Sequence, residues 1–230
     1  MRETFHGELD QIGRTLVDMT AAVDVAMRDA TSALLDADLS LAEKVISGDA
    51  DVDRLRDDLE ARAFDLLARQ QPVAVDLRTV ITSLKAVADL ERMGDLALHV
   101  AKVARMRYPA CALPDEARAT IAEMGKVAES IVSKTRQVLE GQDLKLAEEL
   151  ERDDDLMDAL HRRLFSMLLA DDWKHGVEPA IDITLIGRYY ERYADHAVSV
   201  ARQTIFLVTG EMPPVPAALH SGAPETALGA

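Results

Sequence analysis

The sequence predicts an all-α protein made of two tandem three-helix bundles that arose by internal duplication. Three observations carry this reading. Hydrophobic residues make up 48% of the 230-residue chain and aromatic residues only 4%, so the core must be Leu, Val, Ala, Ile and Met, a set that favours helices over a sheet sandwich. Prolines stand at 72, 109, 114 and 179 before clustering at 213, 214, 216 and 224, which leaves long runs with apolar residues at steps of three and four. Finally, segments recur in order. DLSLAEKV from Asp38 returns as DLKLAEEL from Asp143, LEARAFDLL from Leu59 as LHRRLFSML from Leu160, and LERMGD from Leu90 as YERYAD from Tyr190, at spacings of 105, 101 and 100 residues.

The elements follow from this punctuation. Residues 3–35 form the first helix, with Leu9, Ile12, Leu16, Met19, Val23, Ala26 or Met27, Ala30 and Leu34 along one face. DADLS is a turn, and a second helix runs from Leu41 to about Arg69, weakened at Ser47-Gly48. Pro72 suits a helix start, and the third helix extends to Arg107. YPACALPDE, with two prolines five residues apart, separates a first unit, 1–108, from a second, 115–210. There the pattern restarts with helices at 115–140, 144–171 and 178–209. The Pro-, Gly- and Ala-rich remainder, 211–230, reads as a disordered tail.

Bulk properties narrow the function. A net charge of −15 argues against nucleic acid as a partner, since phosphate contacts need a basic surface. The lone Cys111 excludes a disulfide framework and reads as a small linker residue. The N-terminal MRETFHGELDQIG lacks the apolar run of a leader, and AIDITLIG from Ala180 is too short to span a bilayer. The expectation is a soluble cytoplasmic protein.

The charged repeat carries the chemistry. Glu91 and Asp95, and again Glu191 and Asp195, are four residues apart, so each pair projects from one helix face. Counting back from Glu91 by four, seven and eleven meets Val87, Leu84 and Val80, so the Glu interrupts an apolar line. Carboxylates held close in such a place must take up a proton, meet an Arg or share a cation. Asp49 with Asp53 on the second helix, and Asp154 with Asp158 on the fifth, are the pairs a neighbouring helix can add. Hard or borderline divalent or trivalent ions (iron, zinc, manganese or magnesium) suit such oxygen donors. The plainer reading is a solvated face on which Arg92 and Arg192 pair with these acids. No phosphate-binding glycine loop, dinucleotide fingerprint or nucleophile elbow occurs. His99 and His196 follow the acidic pairs at different intervals and read as surface or interface residues. On the residues alone, a non-enzymatic adaptor, a carboxylate-bridged metal-dependent oxidase or hydrolase, and a metal-free helical scaffold all stay open.

LLARQQPVAVDLRTVITSLKAVADLERMGDLALHVAK and IGRYYERYADHAVSVARQTIFLVTGE resemble the PhoU family of phosphate-signalling regulators, and the likeness runs from the first helix to Gly210-Glu211. That resemblance implies a dimeric, cytoplasmic protein, peripheral at the membrane through its partners. It implies metal binding through paired Glu/Asp-x-x-x-Asp motifs. It further implies negative regulation of phosphate uptake and the phosphate-starvation response, by coupling the ATPase subunit of a phosphate ABC transporter to a sensor histidine kinase. Carried over, Glu91 with Asp95 and Glu191 with Asp195 match the third-helix motifs, and Asp49 with Asp53 the second-helix motif. In the fifth helix, alignment of Asp153 with Asp49 puts Met157 at the partner position, and a frame shifted by one gives Asp154 and Asp158.

Overall fold

A computed structural model of the chain describes residues 2–211, the side chains of residues 2–4 and 151 apart; the tail expected at 211–230 lies outside the described residues beyond Glu211. Among the described residues there are six α-helices and no strand: α1 (Arg2–Asp36), α2 (Leu39–Gln70), α3 (Ala74–Arg107), α4 (Asp115–Gly141), α5 (Leu144–Leu168) and α6 (Val177–Thr209). The helix starts that open the repeated DLSLAEKV and DLKLAEEL segments have the same physical cause. Asp38 accepts the Leu41 amide and Asp143 accepts those of Lys145 and Leu146, satisfying donors that the first helical turn leaves free.

Helix α2 runs unbroken through Ser47-Gly48 as expected, with the buried residues on either side, Val45 and Val52, holding both halves in the core. One boundary departs from expectation. Helix α5 stops at Leu168 rather than 171. The anions Asp171 and Asp172 are disfavoured at a helix C-terminus, and the Trp173 indole N–H instead donates to the Gly176 carbonyl at 2.9 Å, closing a turn ahead of α6.

Helices α1, α2 and α3 pack on one another, as do α4, α5 and α6, and the two units join through α3 on α6 and α1 on α4. Helix α2 touches only α1 and α3, and α5 only α4 and α6, so α2 and α5 flank a central layer of four. One hydrophobic cluster runs through both units and takes in Ala112 and Leu113 of the connector. Each fully buried Leu, Ile or Met in it contributes about 1.5–3 kcal/mol.

The duplication is legible in burial. The pattern of exposed, half-buried and buried positions over 81–90 is identical over 181–190. In the second helices the buried positions Ala42, Val45, Val52 and Leu59 recur as Ala147, Leu150, Met157 and Leu164, each 105 residues on. The LEARAFDLL–LHRRLFSML match, at 101, therefore lies one helical turn out of structural register. A four-residue slip keeps the apolar face in phase, which is why the two strings look equivalent.

Helices α3 and α6 run antiparallel. Arg107, at the end of α3, donates to the buried Asp182 near the start of α6 at 2.6 and 3.1 Å and also pairs with Glu178. Further along, Asp89 accepts from Ser199 at 2.7 Å and meets the His196 ring at 2.9 Å, while the His99 and Tyr189 rings meet at a tilt of 53° with centroids 5.2 Å apart. Asp89 with Ser199 and His99 with Tyr189 are the same contact under the 100-residue repeat, so an approximate two-fold relates the units. Helices α1 and α4 come close where Gly125 faces Thr31; a Cβ on Gly125 would stand 2.7 Å from the Thr31 methyl. Thr31 commits its own proton to the Met27 carbonyl at 2.7 Å and so accepts from the buried Tyr190 hydroxyl at 2.6 Å. Tyr190→Phe removes this donor and should lower the unfolding free energy by about 1 kcal/mol, read as a shift of the urea midpoint with unchanged slope.

Candidate functional site

The eight acidic positions fall into two clusters, one in each unit. Asp49 and Asp53 on α2 face Glu91 and Asp95 on α3, and Asp154 and Asp158 on α5 face Glu191 and Asp195 on α6; all eight are half-buried. The two pairs on α3 and α6 are the YERYAD-type repeat itself. Those on α2 and α5 stand at the 105-residue spacing that the burial pattern sets, so Asp154 answers to Asp49 and Asp158 to Asp53. The alternative frame is excluded by packing: Met157 is fully buried, and Asp153 turns to α4, where it pairs with Lys134 at 2.7 Å.

Charge crowding is plain in both clusters. Burial first, then the neighbouring Asp95, raises the carboxyl pKa values of Asp49 and Glu91 above the ordinary range. In the second cluster the effect is larger. Burial, then Asp195, Asp158 and Glu191, pushes Asp154 up to about 7. Burial, then Asp195, pushes Glu191 up to about 7 against the opposing pull of Arg188. Asp195 is raised as well, chiefly by burial.

The clusters differ in how these charges are met. In the first, the Arg56 guanidinium donates to Glu91 Oε1 at 2.8 Å and lies 3.3 Å from Asp53, while Arg92 pairs with Asp95 at 2.9 Å. In the second, Arg188 pairs with Glu191 Oε1. There Asp154 Oδ1 and Glu191 Oε2 are buried with no hydrogen-bond partner, as is Nε2 of His161. His161 stands one turn from Asp158 on α5, in the place that Arg56 holds on α2, again 105 residues apart. Gly187 makes room for it: a Cβ there would be 3.1 Å from the imidazole Cδ2 and 2.9 Å from Leu164. Burial, then Arg188, lowers the His161 pKa and favours the neutral ring.

Sequence reasoning expected Arg92 and Arg192 to pair with these acids; Arg92 does, but in the second cluster Arg188 takes the pairing expected of Arg192, and Arg56, Arg188 and His161 were not singled out. Arg56 and His161 become visible only once the 105-residue spacing replaces 101. The Asp89–His196–Ser199 group was not anticipated either. Both His196 and Ser199 address Asp89 rather than each other, so the serine hydroxyl is held by a carboxylate and no imidazole is bonded to it as in a nucleophile–histidine pair.

Among the described residues no three His, Cys, Asp or Glu side chains stand already gathered about one point as a metal-holding group. The second cluster nonetheless fits a cation in its donor set, since it buries carboxylate oxygens that nothing else satisfies; closing on an ion takes side-chain rotations about α5 and α6. The first cluster offers the same four carboxylates with arginines seated among them. No helix among the described residues is long and apolar enough to cross a membrane.

Two antiparallel three-helix units, each with crossed acidic pairs on its second and third helices, define a duplicated, carboxylate-rich helical protein. The PhoU domain model matches residues 16–104 and 121–204, one copy in each unit. The chain belongs to the PhoU family. It is 48% identical over 213 residues to the phosphate-specific transport system accessory protein PhoU homolog 2 of Mycobacterium tuberculosis, covering 93% of this chain and all of that protein. It is 46% identical to PhoU homolog 1 of Mycobacterium leprae, covering 93% and 96%. The crystal structure of PhoU from Pseudomonas aeruginosa superposes with a TM-score of 0.82 at 29% identity, over 90% of this chain and all of that one. The phosphate transport system regulatory protein PhoU from Streptococcus pneumoniae has the same fold, with a TM-score of 0.82 at 24% identity.

The raised carboxyl groups set a pH dependence. A folded pKa near 7 against an unfolded value of 3.8 for Asp154 means that the folded chain holds a proton the unfolded chain has released. This contribution to stability is full below about pH 4 and is lost as pH rises towards 7. Asp154→Asn should therefore gain stability relative to the parent between pH 4 and 7 and keep that advantage at pH 8. Urea midpoints of both metal-free proteins across that range, measured in chelator, check it.

Proposed function

We propose that this protein is a non-enzymatic accessory and negative regulator of phosphate uptake and of the phosphate-starvation response. In this reading it is a cytoplasmic adaptor, a homodimer in its working form, that contacts the ATPase subunit of a phosphate ABC transporter and a sensor histidine kinase. Its likeness along nearly the whole chain to proteins named phosphate-specific transport system accessory proteins carries the proposal. The geometry adds support. The Asp89–His196–Ser199 group is wired as a strut between α3 and α6, not as a nucleophile with its base. Leu77 and Ile81 on α3, and Val177 and Ile181 on α6, are exposed apolar residues at repeat-equivalent positions, the kind of surface that protein partners cover.

Metal binding belongs to the same proposal. Asp49, Asp53, Glu91 and Asp95 would hold one ion or cluster, and Asp154, Asp158, Glu191 and Asp195 a second. Bound there, a di- or trivalent cation would neutralise the crowded carboxylates and tie α2 to α3 and α5 to α6. The protein's own part is to hold four carboxylates, two per helix, at one depth of each unit.

Capture of the transporter ATPase and of the kinase by tagged protein is the expected result, with Ile81→Asp plus Ile181→Asp reducing it severalfold at unchanged helicity. Failure to associate with either at micromolar concentrations would sink the adaptor reading. Elemental analysis of untagged protein tests the metals separately: at least one equivalent is expected, falling in Glu91→Gln and further in Glu191→Gln.

A further inference from the structure

We propose that the two acidic clusters are chemically unequal sites: the α5–α6 cluster takes His161 as a nitrogen ligand and selects borderline transition ions, while the α2–α3 cluster, with Arg56 in the equivalent place, is an oxygen-only site that a cation enters by displacing a guanidinium. The inference rests on the metal-binding part of the proposed function and deepens it.

Burial repeats at 105 residues along α2 and α5, so Arg56 and His161 occupy one position of a duplicated unit. Both lie on the turn after the second Asp of their helix, and both address the third helix of their unit. Arg56 does so as a donor, with Nη1 on Glu91 at 2.8 Å and near Asp53 at 3.3 Å. His161, a shorter side chain, lies against α6 at Gly187, one turn before Glu191, as an imidazole whose Nε2 is buried and without a hydrogen-bond partner. That nitrogen would lie 3.6 Å from a Cβ at Gly187. The His161 ring rests on Phe165, with centroids 4.8 Å apart, on the side away from the acids along α5. The other two unsatisfied buried oxygens nearby, Asp154 Oδ1 and Glu191 Oε2, belong to the same cluster.

An arginine never yields a lone pair, so its position cannot serve a metal. An imidazole nitrogen does, and it shifts preference from magnesium, which wants oxygen ligands and keeps its waters, towards zinc, iron or cobalt. Duplication followed by divergence at one position thus makes two sites with different ligand chemistry from one carboxylate frame.

Cobalt(II) is the probe, titrated into the full-length protein by calorimetry and followed by its visible ligand-field bands and by paramagnetically shifted imidazole N–H signals. Parent protein should show a shifted imidazole N–H that disappears in His161→Gln, with cobalt affinity at that site falling by about tenfold or more, equivalent to about 1.4 kcal/mol. Magnesium affinity should change by less than about twofold. Arg56→His should add a second shifted imidazole signal from the first cluster, a gain that misfolding cannot mimic. Cobalt binding that Glu191→Gln abolishes but His161→Gln leaves intact, with no imidazole signal, would overturn this inference and leave the metal reading standing. No cobalt bound by the parent protein would overturn both.

Discussion

The antiparallel packing of α3 on α6 is the constraint from which the rest follows. Each of these helices must be apolar enough to bury a face against the other and against two further helices of its own unit. Each also carries Glu-Arg-x-x-Asp close to the crossing. Their mutual contact is held by polar struts, Arg107 on Asp182 at one end and Asp89 on Ser199 and His196 near the middle. These leave little freedom for one unit to slide along the other. The carboxylates on α3 and α6 are thereby held at a fixed depth, and α2 and α5, which pack only within their own units, bring the second acidic pair to each.

That arrangement is costly for a bare protein. Two carboxylates about 6 Å apart in a medium of effective dielectric about 20 repel by about 3 kcal/mol. Each cluster gathers four. The chain meets the cost differently in its two halves. In the first, arginines from within the cluster absorb most of the repulsion. In the second, Arg188 serves Glu191 while Asp154 is left to burial and like charge, and its carboxyl titrates near neutrality. The second unit is therefore the one whose stability responds more strongly to protons, or to anything else positive that enters.

Much of this was legible in the sequence, and the reason is periodicity. Helix existence, the duplication and the four acidic pairs are all statements about spacing along one chain, and spacing survives into structure. The repeated Asp38 and Asp143 marked helix starts because their side chains act on amides only two or three residues away. Register between helices was harder. The 101-residue match in α2 and α5 was one turn out, and nothing in a helical pattern penalises a four-residue slip. That slip hid the correspondence of Arg56 with His161. The strut residues were illegible for a different reason. Asp182 and Asp89 look like ordinary surface acids until their partners, 75 and 107 residues away, are placed beside them.

The difference between Arg56 and His161 also bears on what holds each unit together. A guanidinium already engaged by Glu91 and Asp53 ties α2 to α3 when no cation is present, because its own charge is covalently attached and always protonated. A neutral imidazole supplies no such tie. The α5–α6 seam consequently depends on an external charge for what the α2–α3 seam has built in. The two seams meet at the strutted α3–α6 crossing, so a change at α5–α6 falls on the contact of α5 with α6 and not on the packing of α6 against α3. Packed helices shift between discrete arrangements more readily than they deform. Of the two units, the first carries its neutralising charge within the chain, and the second is the one on which a proton or a cation has the larger effect.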